Sequence, residues 1–180
     1  MSKRDWLEAG LEVLSESGVE GLRIDRLSAR LGLSKGSFYH HFAGISGYRL
    51  DLLDFYRQEH TGRHIRKVES SRDLDPKAKL DLLQTSIMLE DGSLPRLEVA
   101  IRAWAAEDDD ARAALEQVDA DRFDYLERLC LGFIDDPEQA RVLSRMLYLM
   151  LIGSQHVAPP VPFGELRRMY AAAIHAALVV

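Results

Sequence analysis

The stretch from Arg23 to Phe42 constrains the fold more than any other part of this 180-residue chain. Ile24, Leu27 and Leu31 recur at helical spacing and predict a short helix with one buried stripe. Gly32 follows the last periodic residue, where a left-handed helix ending is expected, and Leu33 turns back to the core. Ser34 is a good N-cap for a second helix, because its hydroxyl accepts a free backbone N–H of the next turn. Phe38 and Phe42 lie four apart and share the inner face. Lys35, Gly36, Ser37, Tyr39 and His40 are left pointing outward or forward.

Two helices joined this way form a helix-turn-helix, whose second helix enters the major groove with its first residues at the base edges. The residue types suit that task. A helix start offers N–H groups to phosphate. Gly36 lets the backbone come close, Lys35 brings a mobile charge, and Ser37 is a short donor and acceptor. The Tyr39 hydroxyl can reach a phosphate, and His40 can donate to a phosphate or a base. A helical hairpin with a polar outside would also contain a glycine turn. It would not need this composition directly behind the cap.

The segment from Trp6 to about Tyr56 resembles the N-terminal domain of the TetR/AcrR (tetracycline-repressor) family. The resemblance is carried by Ala9, Gly10, Leu14, Gly18 and Leu27, and by the run from Gly32 to Phe42. It implies an all-helical homodimer that represses transcription until a small molecule binds its C-terminal domain. By matching position it implies Lys35, Gly36, Ser37, Tyr39 and His40 as DNA contacts. Two positions depart from the family pattern. Arg23 stands where Thr or Ser usually caps the first helix of the motif and touches phosphate; its guanidinium can hold a phosphate directly. Ile45 stands where a lysine is usual, so one phosphate anchor is missing, and Arg49 is the nearest substitute.

Charge fits this reading only when it is resolved along the chain. The net charge is −6, but residues 1–68 carry 11 Lys and Arg against 9 Asp and Glu, a net +2, while the rest is −8. Acidity is thus concentrated away from the motif. The single cysteine, Cys130, permits no intrachain disulfide and favours a reducing, cytoplasmic setting. The first residues lack the apolar core of a signal peptide, and the apolar run from Met146 to Ile152 is too short to span a membrane.

The remainder reads as helices. One spans about Lys3 to Ser17, with Trp6, Leu7, Leu11 and Leu14 inward. A fourth starts near Ser46, carries Leu50, Leu53 and Tyr56 inward and continues to about Val68. Asp75-Pro76 opens another, which Asp91-Gly92-Ser93 breaks; Pro95 opens the next, and Glu107 to Asp110 caps a long helix to about Ile134. Asp136-Pro137 opens a helix to about His156, apolar all round from Met146 to Ile152. The last helix, from about Phe163, is rich in alanine. These two helices predict a four-helix dimer interface, two from each subunit, which a charge at Leu147 or Ala173 is expected to break.

The expected architecture is therefore all-α, about nine helices, homodimeric. A three-helix helix-turn-helix domain would occupy residues 1–45, and a ligand-binding and dimerisation bundle residues 46–180. The expected partners are a palindromic operator duplex, a second copy of the chain and a small apolar effector. No membrane, metal or cofactor is expected, and no catalytic residue. His60 and His64 have a metal-compatible spacing without a third ligand and read as a solvated face; His156 and His175 read as structural. Met88, Trp104, Phe123, Tyr125, Met146, Tyr148 and Met150 suit either a core or an apolar pocket. Trp104, Met146 and Met150 are the first choices for a pocket. The alternative function is a protein-interaction adaptor of the same fold without ligand-regulated operator binding.

Overall fold

The computed structural model describes residues 2–88 and 93–179, apart from the side chains of Met88, Ser93 and Leu94. The expected break at Asp91-Gly92 and the side chain of Met88 therefore lie outside the described residues. Among the described residues ten α-helices follow one another: α1 Lys3–Ser17, α2 Ile24–Leu31, α3 Lys35–His41, α4 Ile45–Arg57, α5 Arg63–Ser70, α6 Pro76–Met88, α7 Ser93–Glu107, α8 Asp109–Leu131, α9 Pro137–His156 and α10 Phe163–Val179. A π-helical turn, Gln58–Gly62, lies between α4 and α5. No strand occurs among the described residues.

Local chemistry sets the ends. Ser2 caps α1 in a reciprocal box with Asp5. Asp75, Asp108 and Asp136 accept backbone N–H groups of Ala78, Ala111 and Glu138, which opens α6, α8 and α9. The acidic run before α8 is thus a cap. α7 begins at Ser93, two residues before the expected Pro95.

Packing divides the chain into two compact units. The first takes in Met1–His60 with Asp91–Val118, the second Thr61–Glu90 with Asp119–Val180. These limits differ from a cut at residue 45, because α4 and α7 both pack with α1. The core of the first unit contains Trp6, Leu14, Leu27, Phe38, Tyr48, Leu52, Ile101 and Trp104. That of the second contains Val68, Leu80, Tyr125, Leu129, Cys130, Leu143, Leu147, Tyr148, Leu166 and Tyr170. Burial pushes the Cys130 thiol up to about 12, which leaves it an inert core group.

Two sequence expectations are corrected. Leu50 faces solvent, whereas Tyr48, Leu52, Leu53 and Tyr56 face inward. The Tyr48 hydroxyl donates to the Trp6 carbonyl at 2.8 Å, and this fixes which side of α4 turns in. His60 and His64 do not form a solvated face. His60 stacks on Tyr56 with 5.3 Å between rings, and His64 is buried with its Nδ1 3.3 Å from the Ser86 hydroxyl. Burial, then the nearby Arg63, Arg122 and Lys67, lowers the imidazole pKa of His64 to about 4. No group of three potential metal-ligating side chains occurs among the described residues.

On α9 and α10 the two faces separate cleanly. Leu143, Leu147 and Tyr148 are buried, as are Leu166 and Tyr170. Val142, Met146 and Leu149 form an exposed apolar stripe on α9, Val157 is exposed just past its end, and Met169 and Val179 lie exposed on α10. Leu147 therefore belongs to the subunit core rather than an outer face, and Ala173 packs against the same core. A charge at either site would unfold the bundle instead of testing association.

Candidate nucleic-acid interface

The first unit positions α3 by three devices. Gly32 adopts φ 65°, ψ 31°, the left-handed conformation that ends α2 without a Cβ penalty. The Ser34 hydroxyl then accepts the Ser37 N–H at 3.3 Å and starts α3. Phe38 is fully buried, edge-on to Trp6 at 5.4 Å and tilted against Tyr48 at 5.3 Å; Phe42 meets Tyr48 edge-on at 4.9 Å. Burying Phe38 contributes about 1.5–3 kcal/mol. These rings clamp one side of α3, so its other side is fixed in orientation.

That other side carries the expected residues. Lys35, Gly36, Tyr39 and His40 are exposed, and Ser37 is half-buried. Tyr39 is 59% exposed although its ring meets Phe38 edge-on, so its hydroxyl is presented on a braced ring. Arg23 precedes α2 and provides no side-chain cap; its Nε donates to the Glu20 carbonyl at 3.1 Å, and the residue is exposed. All six residues expected from the sequence thus lie in one short segment around α2 and α3.

Four features were not visible in the sequence. Lys35 forms an ion pair with Asp25 of α2, and the hydrogen bond it donates to that carboxylate, then the carboxylate's charge, raises the Lys35 pKa. Gly10 is pressed against α4: a Cβ there would lie 1.9 Å from the Tyr48 hydroxyl. Arg49, the nearest substitute for the missing lysine, is half-buried, with its Nε buried. Ile45 packs against the first core.

The residues chosen for an effector pocket are not gathered within either unit. Trp104 is 4% exposed in the first core, Met150 packs against the second, and Met146 is 47% exposed on α9. The second unit instead holds a polar network that periodicity could not reveal. Arg122 donates to the Thr61 hydroxyl at 3.0 Å and to the Tyr148 hydroxyl at 3.1 Å, and Tyr148 donates to Asp119 at 2.6 Å. Thr61 belongs to the π turn, so Arg122 of α8 and Tyr148 of α9 hold that turn in place.

Residues 7–47 match the family described as bacterial regulatory proteins, tetR family. A curated relative, the transcriptional regulator AcuR of Cereibacter sphaeroides, is 29% identical over 92 residues, which is 51% of this chain and 41% of that protein. The match therefore spans less than half the length of that relative. Among solved structures, a transcriptional regulator from Rhodococcus sp. Rha1 superposes with a TM-score of 0.78 at 20% identity, covering 99% of this chain and 97% of the other. A TetR transcription regulator from Haloarcula marismortui gives 0.76 at 20% identity over 99% and 97%. A transcriptional regulator from Saccharomonospora viridis, solved in complex with choline, gives 0.78 at 14% identity over 96% and 95%. Residues 7–47 thus carry the helix-turn-helix of the tetR family of bacterial regulatory proteins, and the helical architecture of the chain is similar to that of these solved regulators.

Proposed function

We propose that the protein is a cytoplasmic, non-enzymatic repressor that binds a pseudo-palindromic operator as a homodimer and is released by a small molecule. Residues 1–45 read DNA in this account, and residues 46–180 bind the effector and dimerise. The observation that carries it is the clamped α3. Its inner side is fixed by Phe38 and Phe42, while Lys35, Gly36, Tyr39 and His40 stay open on the outer side. Arg23 and Tyr39 hold phosphate, Lys35, Ser37 and His40 meet base edges, and Gly36 permits the approach. No helix among the described residues is long and apolar enough to cross a membrane.

The readout is a duplex titration. Tyr39→Phe removes one phosphate hydrogen bond and is expected to weaken all duplexes alike, by about 1 kcal/mol. Ser37→Ala shifts sequence preference if the hydroxyl reads a base. Adding Lys35→Ala to Tyr39→Phe should remove operator binding at physiological salt. A double variant that binds as tightly as the parent contradicts this placement of the interface.

Dimerisation rests on the exposed stripes of α9 and α10. Contiguous apolar surface of this kind on adjacent helices marks an interaction site. Met146 falls on this stripe, so in our reading it serves the interface.

The effector reading is supported by the resemblance of residues 7–47 to the tetR family and by the choline complex of a structural neighbour. The π turn after α4 gives it a mechanical route, since Thr61 in that turn is held by Arg122. A ligand that shifts this contact changes the spacing of the two recognition helices, which must lie about 34–36 Å apart, or a multiple, to enter successive major grooves. Ligand and DNA then weaken each other by the same factor, with a coupling of about 1–3 kcal/mol. A thermal-shift screen of small apolar metabolites and drugs, followed by DNA titration with each hit, measures it. Hits that stabilise the protein but leave operator affinity unchanged would show that the site is not regulatory.

A further inference from the structure

Four cations of the helix-turn-helix scaffold, Lys3, Arg4, Arg26 and Arg30, are tied to acids of the same scaffold. Lys3 pairs with Asp51 at 2.8 Å, Arg4 with Glu8 at 2.7 Å, Arg26 with Glu16 at 3.7 Å and Arg30 with Glu12 at 3.0 Å. These pairs brace α1 against α2 and α4 or run along α1. The pair of Lys35 with Asp25 has a different place. Lys35 is the only lysine or arginine of α3, and Asp25 stands in the first turn of α2. Both side chains are well exposed, 63% and 74%, so the pair lies on the surface that α3 presents and not within the scaffold.

We propose that Asp25 is a specificity-determining residue of the DNA interface. Its carboxylate holds the Lys35 ammonium away from phosphate, and so lowers affinity for arbitrary duplex more than affinity for the operator. The inference rests on the reading of α3 as the DNA-contacting helix. On arbitrary DNA, affinity comes from cations that neutralise phosphates and release their counterions. A lysine held by a carboxylate is lost to that count, and the carboxylate itself repels the backbone. At the operator, Lys35 gains a base-edge contact that no other duplex offers, such as the O6 and N7 acceptors of a guanine, and this offsets the broken pair. An exposed pair is weak in water, so Lys35 is restrained but not locked. The mild basicity of residues 1–68 fits the same economy of charge, with specificity resting on few contacts.

The test is Asp25→Asn in the full chain, titrated against an operator duplex obtained by selection and against a scrambled duplex of equal length, over a range of salt. Asp25 is exposed and the change is isosteric, so the fold is kept, and circular dichroism checks this. Affinity for the scrambled duplex should rise about tenfold, with its log–log salt slope steeper by about 0.9, one further neutralised phosphate. Operator affinity should rise less, so that the ratio of the two falls at least threefold. Asp25→Glu should retain the parental ratio. In a Lys35→Ala background, Asp25→Asn should leave the ratio unchanged. No change, weaker binding, an equal rise on both duplexes, or an undiminished loss of discrimination in the Lys35→Ala background would each overturn the proposal. If neither parent nor variant binds any duplex, the DNA-binding reading itself has failed, a result distinct from the loss of the Asp25 role alone.

Discussion

Met146→Glu combined with Leu149→Glu is expected to give a folded monomer whose operator affinity is lower by about 100-fold or more. The two side chains are 47% and 62% exposed on α9, beside the α10 face that carries Met169 and Val179. Neither contributes to the closed core of Leu143, Leu147, Tyr148, Leu166 and Tyr170, so the charges do not disturb the subunit. In a dimer they would be buried without partners, and an unpaired buried charge is strongly destabilising. Loss of the dimer also removes the second recognition helix, whose binding had been intramolecular. That loss is an effective-concentration term of about 10²–10⁴ in avidity. Sedimentation velocity and operator titration of the same samples check both parts. An unmodified protein that is monomeric at micromolar concentration would refute the dimer. So would a doubly substituted protein that still sediments as a dimer.

Gly10→Ala is expected to destabilise the first unit by about 1–3 kcal/mol, the cost of forcing extra volume into a packed core. The new methyl would lie 1.9 Å from the Tyr48 hydroxyl and 3.0 Å from Leu52 Cδ1. Tyr48 cannot swing away cheaply. It is fully buried, packs against Phe38 and Phe42, and donates to the Trp6 carbonyl at 2.8 Å. Because Phe38 and Phe42 anchor α3, a displaced Tyr48 also loosens the recognition helix, so operator affinity should fall with stability. Tyr48→Phe removes the clashing oxygen, and the pair Gly10→Ala, Tyr48→Phe should be more stable than Gly10→Ala alone. Urea unfolding followed by circular dichroism measures the series. A Gly10→Ala protein as stable as the parent, or a pair with no rescue, would show that the close approach of α1 and α4 is not as described.

The helix-turn-helix was legible because its signals are local. Gly32 and Ser34 act on their own neighbours, and Phe38 and Phe42 announce their shared face by spacing alone. The side of α4 that turns inward was not legible. Leu50, Leu53 and Tyr56 have acceptable helical spacing, yet the choice is made by Tyr48 reaching the Trp6 carbonyl, 42 residues away in sequence. His60 and His64 were misread for a related reason. A π turn takes more residues per turn than an α-helix, so the periodicity of α4 does not carry through Gln58–Gly62, and His64 is turned into the second core. The place of α7 in the first unit is likewise a tertiary outcome that no feature between residues 1 and 60 announces.

For the candidate site, exposure followed from the sequence but pairing did not. Lys35, Gly36, Tyr39 and His40 are open as their positions behind Ser34 required. That Asp25 holds Lys35 depends on how α2 crosses α3, which no periodicity encodes. Trp104 and Met150 were ambiguous because apolar side chains that line pockets have the same composition as those that fill cores. Both pack against cores here, in different units.

The central claim, that α3 reads DNA in a two-fold assembly, is tested most directly by selecting bound duplexes from a random pool with the full-length chain. The account predicts enrichment of one pseudo-palindromic sequence, with half-site centres about 10–10.5 base pairs apart or a multiple of that, and its loss when Lys35→Ala and Tyr39→Phe are combined. A pool that yields no enriched sequence, or an enriched sequence that the combined variant binds equally well, would contradict it.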